Sequence, residues 1–191
     1  MINLLLDNID EVVKDRIKID FDTNFRIGIA FEIMMQNPKY SMQAKTYQAL
    51  KLFYPEMDKI KDIKKAIDDI IWFYSCGKSE EKTSQKNRKG KNKQIYSYEF
   101  DNDLIYSAFK NQYNVDLEEI EYLHWWKFKA MFNGLKSDNR IVEIMGYRAM
   151  ELSKIKDKDM KKHYKQLQEE YKLPDMRSEE EKEEDFAEAL W

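Results

Sequence analysis

Residues 78–94 read KSEEKTSQKNRKGKNKQ and contain no apolar side chain. A stretch with nothing to bury cannot offset the entropy of ordering its own backbone. The core must therefore be built by what lies on either side. This stretch holds seven basic and two acidic residues, whereas residues 174–191 hold eight acidic and two basic. We read residues 1–77 as an N-terminal helical half and 78–94 as a flexible basic loop. Residues 95–173 are then the second half of the same domain, and 174–191 an acidic tail. A chain of 191 residues fits one domain of this kind.

The flanking segments are too aromatic for a disordered chain, at 14% Phe, Trp and Tyr overall. Five glycines and three prolines exclude collagen-like and Pro/Gly-rich classes, and one cysteine excludes an intrachain disulfide framework. No apolar run reaches the length of a membrane span, and MINLLLDNIDEVV lacks the basic flank of a signal peptide.

Apolar spacing predicts a mainly α fold, about six helices with at most a small β element. Ile17, Ile19 and Phe21 alternate with charged residues, a short strand signal. Thr23 is placed to cap a buried helix from Phe25 to Gln36, ended by Asn37-Pro38. Ser41 opens a second helix to about Tyr54. Ile60, Ile63, Ile67, Ile70 and Tyr74 mark a third, with Gly77 supplying its left-handed C-terminal residue. Past the loop, Ile95–Phe100 alternates weakly as a strand, and Asp101 is placed to cap a helix carrying Leu104, Ile105, Ala108, Phe109 and Tyr113. Asp116 and Glu119 have capping-box spacing and predict a helix carrying Ile120, Leu123, Trp125, Trp126 and Leu135. A helix from about Asn139 runs to Ile155, and a last one carries Tyr164, Leu167 and Tyr171.

Chemistry-bearing patterns are sparse, and no catalytic, cofactor or metal site is assigned. His124 and His163 are 39 residues apart without metal-ligand spacing, and are read as a core-edge and a solvent-facing histidine. Cys76 sits at a helix C-terminus, which disfavours a thiolate. The acidic pairs Asp68-Asp69 and Glu118-Glu119 are adjacent rather than opposed across a cleft, and no glycine set forms a phosphate loop. Arg148 projects from an apolar stripe and is expected to form a structural ion pair.

Binding features are clearer. Trp125 shares a stripe with Phe128 and Phe132, whereas Trp126 points about 100° away, between Lys127 and Lys129. Trp126 with its flanking lysines is one candidate interface anchor, set against a second core position. Phe186, Leu190 and Trp191 in the acidic tail are another, as a segment that folds on binding. Basic residues of the loop could contact phosphates, although no aromatic is interleaved among them.

Several stretches resemble a bacteriophage family named for gene product fifteen of a temperate phage of Gram-positive bacteria. They are INLLL and DFDTNFRIGIAFE in the first half, then IYSAFKNQYNVDL, LHWWKF (Leu123–Phe128), Gly134-Leu135 and IMGYR (Ile144–Arg148). The resemblance spans roughly residues 21–173 and implies a role in tail morphogenesis. It further implies a non-catalytic assembly chaperone or accessory factor for the tape-measure protein, acting in the cytoplasm of the bacterial host. The expected partners are phage tail proteins, with no membrane and no cofactor. Self-association stays open. The alternative is a nucleic-acid or regulatory binder acting through residues 78–94.

Overall fold

The structure, a computed structural model, describes residues 2–78 and 93–176. Among these are eight α-helices: α1 Ile9–Ile17, α2 Phe25–Gln36, α3 Met42–Phe53, α4 Ile63–Tyr74, α5 Asn102–Tyr113, α6 Trp125–Asn133, α7 Arg140–Ala149 and α8 Lys158–Glu170. Short 3-10 turns, Met57–Lys59 and Leu152–Lys154, precede α4 and α8. The mainly α class is as expected, with eight helices where about six were expected and α1 the one that the spacing did not mark.

The extra first helix arises from a period conflict. Ile9, Val13 and Ile17 recur every fourth residue and are all buried, so Ile17 closes a helix rather than opening a strand. Lys18, at φ 62°, turns the chain, Ile19 bends it again, and Ile19–Phe21 form no strand. Five of the later helices start at side-chain caps, α3, α4 and α8 among them. Ser41 Oγ accepts from Ala44 N at 3.3 Å, Asp62 Oδ1 from Lys65 N at 3.0 Å and Asp157 Oδ1 from Met160 N at 2.8 Å. At α2 the cap is Asn24, one residue beyond Thr23, accepting from Arg26 N at 3.0 Å. Gly77 is left-handed as expected, φ 71°, and Cys76 before it is too.

The second half departs more. Ile95–Phe100 forms no strand. Asp116 accepts from the backbone of Glu118 and Glu119, which closes a turn, and the helix waits until Trp125. The intervening backbone is used elsewhere. Phe25 N donates to Leu123 O at 2.8 Å and Trp125 N to Thr23 O at 2.9 Å, around a single antiparallel bridge between Asn24 and His124. The starts of α2 and α6 are thus zipped together, about a hundred residues apart in sequence. α7 ends at Ala149, short of Ile155.

Packing runs α1 on α4, α4 on α3, α3 on α2 and α2 on α6, with α5, α7 and α8 completing the second half. The core is aromatic. Phe128 lies between Phe25 and Phe109, with ring centroids 5.1 and 4.9 Å away. Phe73 approaches Phe21 at 5.0 Å and Trp126 at 5.7 Å. Gly28 is required where α2 crosses α6, because a Cβ there would overlap the indole of Trp125.

Candidate protein-interaction surface

The two tryptophans of α6 face the end of α4. The Trp125 indole donates to Tyr74 O at 3.0 Å and the Trp126 indole to Phe73 O at 2.7 Å. The last carbonyls of a helix lack intrahelical donors, so the pair caps α4 from outside. Trp126 is 1% exposed, which bears out the second core position and corrects the alternative of a surface anchor. The two indoles do diverge around α6, but α4 fills the space that Trp126 points into.

Lys127 remains exposed. Lys129 turns inward, its ammonium 5.2 Å from the Trp125 ring centroid and 5.6 to 5.9 Å from those of Tyr96, Phe132 and Tyr98. Its Nζ donates to the Tyr96 hydroxyl at 3.3 Å. Burial pushes the Lys129 ammonium below the usual lysine range, opposed by the field of Glu32. Glu32, itself buried, accepts from the Tyr74 hydroxyl and from Gln36 Nε2. Lys129 is therefore an internal cation held by aromatic faces, rather than the flank of an interface. Phe186, Leu190 and Trp191 lie outside the described residues, as does most of the basic loop.

Arg148 forms the ion pair that its position predicts. It grips Asp101 through two bonds of 2.6 and 3.0 Å, both side chains buried, and also donates to Ile95 O and Tyr171 O. Asp101 is consequently diverted from capping α5; its carboxylate takes Arg148 and Ser97 N instead. His124 is fully buried rather than at the core edge. It caps α6, with Nδ1 accepting from Trp126 N at 3.0 Å, and burial pushes it down to about 4. Among the described residues no group of three or more His, Cys, Asp or Glu side chains converges on a point that could hold a metal ion.

The outstanding surface feature lies at the N-terminus. Leu4, Leu5 and Leu6 are 45%, 92% and 83% exposed. The turn that carries them is built. Asn3 Oδ1 accepts from Leu5 N at 2.9 Å, Asn3 O from Asp7 N at 2.8 Å, and Asp7 Oδ2 from Asn3 N at 2.7 Å. It is anchored on both sides, by the Ile2 side chain against Gly77 and by buried Ile9. Fully burying each of the two most exposed leucines would gain roughly 1.5–3 kcal/mol. A turn held open by hydrogen bonds around such groups fits contact with an apolar partner. The sequence signal was the run LLL ahead of a helix, which matches neither helical nor strand periodicity.

A family model described as Bacteriophage Gp15 protein matches residues 5–173. The chain belongs to that family. The Gp15 match takes in the exposed turn from Leu5 onward, all eight helices and the Arg148 lock, and stops where the acidic tail begins. No curated protein and no solved structure matches the chain.

Proposed function

We propose that this Gp15-family protein is a non-catalytic tail-morphogenesis factor that binds apolar helical segments of the tape-measure protein in the host cytoplasm. It keeps those segments soluble until the tail tube encloses them. The observation that carries the reading is the Leu4–Leu6 turn, apolar, ordered by its own hydrogen bonds and uncovered. Family membership supplies the phage setting. A long helical client with apolar stripes would self-associate if uncovered, and many adaptable apolar contacts suit its temporary cover better than one deep pocket. No helix of the described residues is long and apolar enough to cross a membrane.

The test is co-expression with the tape-measure gene of the same phage. Wild-type protein is expected to raise the soluble yield of the client and to co-purify with it at high salt as well as low. The Leu5→Asp/Leu6→Asp variant should fold normally, because both side chains are in water, yet lose the complex. Unchanged client solubility with wild-type protein would end the chaperone reading. A complex that survives the double variant would move the contact elsewhere.

A further inference from the structure

A second surface feature lies away from the leucine turn. A cleft of about 380 Å³ opens between the end of α1 and the start of α4. Its floor is apolar, formed by Ile17, Ile19, Tyr54, Ile60 and Ala66. Its rim carries Lys18, Lys59, Lys61 and Lys65. The two lining carboxylates are already committed. Asp62 caps α4, and Asp69 sits between Arg16 at 2.8 Å and Lys65 at 2.5 Å. Lys61 makes no ion pair among the described residues, whereas Lys18 pairs with Asp15 at 3.7 Å and Lys59 with Glu56 at 2.6 Å, each three residues away along the exposed chain. The cleft therefore offers an apolar floor of ligand-pocket size beneath a rim with one unpaired lysine, Lys61, and two more, Lys18 and Lys59, held only by exposed surface pairs that are worth little.

We infer that this cleft is the docking site of the chain's own residues 177–191. The segment has the complementary chemistry: seven acidic and two basic side chains, with Phe186, Leu190 and Trp191 as apolar teeth. Its reach exceeds the length of α2. Met176 lines a cleft with Ile33, Gln36 and Pro38, beside the C-terminal end of α2. The lysine-rimmed cleft lies toward the other end of α2, where Asp22 N donates to Phe53 O just before Tyr54. α2 is about 18 Å long, and the ten residues from Met176 to Phe186 span up to roughly 33 Å when extended. Tethering supplies the segment at an effective concentration on the order of millimolar. A contact too weak to form between separate molecules can thus be populated within one. Charge at the rim steers the segment, and the apolar teeth hold it.

The experiment uses the full chain labelled with 5-fluorotryptophan and read by fluorine NMR. The Trp191 signal is identified by its loss in Trp191→Phe. In the unmodified chain it should stand apart from a solvated indole. Raised salt, or Lys59→Glu/Lys61→Glu, should move it to the solvated position. The tail-side variant Glu183→Lys/Glu184→Lys leaves the cleft intact and should do the same. Combining the two charge reversals should bring the signal back. The signals of Trp72, Trp125 and Trp126 report on the fold of every variant and should stay in place. A Trp191 signal at the solvated position in the unmodified chain overturns the inference. So does a signal indifferent to both reversals. A signal that moves on dilution also overturns it, by placing the segment on a second copy.

Discussion

Protonating His124 removes the acceptor that starts α6, because the same ring nitrogen that would take the proton accepts from Trp126 N. The other nitrogen, Nε2, is buried and has no partner among the described residues, an arrangement that costs about 1–3 kcal/mol in its own right. Burial holds the folded pKa at about 4, below the ordinary 6.5. The unfolded chain therefore binds the proton first, and stability falls as pH drops from about 6.5 through 4. The full loss is roughly 3 kcal/mol. Asp116, held down to about 2 by Lys110, acts only below that window. His124→Asn keeps a capping side chain without a titrating ring, so urea midpoints measured between pH 7 and 4 should slope less steeply than in wild type. A slope unchanged by the substitution would clear His124 of any part in acid sensitivity. At this scale the sequence revealed types better than surroundings. Arg148 announced a buried acid because an arginine in an apolar stripe needs one. Nothing near His124 or Trp126 in the sequence tells of α4 on their far side, so His124 was read as core-edge and Trp126 was left between core and surface.

Helices whose apolar residues recur at three and four places were legible, down to the caps Ser41 and the stop at Gly77. The misread elements were those in which a tertiary partner overrides local preference. The Glu121 and Leu123 carbonyls and the backbone of His124 are spent on the start of α2 instead of extending a helix back toward Asp116. α1 was obscured because Ile17 fits both a fourfold and a twofold period. α8 was legible but is the least secured element, with no buried residue. Its attachments gather at one end: Gln168 donates to Tyr147 O and Met150 O, and the Tyr171 carbonyl accepts from Arg148. Exposed Lys158, Lys161, Lys162 and Lys165 crowd the other. Local opening follows such differences in burial and bonding. Amide hydrogen exchange should therefore be at least about tenfold faster in Lys161–Lys165 than in the middle of α2 or α6. Equal protection along α8 and α2 would mean that the last helix opens only with the whole domain.

Over the whole molecule, the mainly helical class and the family resemblance were readable, because both rest on spacing and short motifs. The candidate surface was not, since exposure of Leu4–Leu6 depends on a turn set by Asn3 and Asp7 and on Ile2 finding Gly77. Partner geometry has no counterpart in a linear pattern. The tryptophan pair of α6, by closing the end of α4 from beyond residues 79–92, has a consequence for what a covalent chain is needed for here. Residues 2–78 hold the carbonyls and residues 93–176 hold the indoles, so each portion carries half of a single buried seam. Cutting the polypeptide within residues 79–92 should give two polypeptides that are insoluble apart and reassemble when co-expressed. Co-purification of an affinity-tagged 1–78 with an untagged 93–191, with the blue-shifted tryptophan emission of the intact protein, is the expected result; recovery of the tagged piece alone would show that the peptide connection is indispensable. A reassembling pair would also be a split reporter, since any ligand that spans the seam must tighten the association of the two pieces by the free energy with which it prefers them joined.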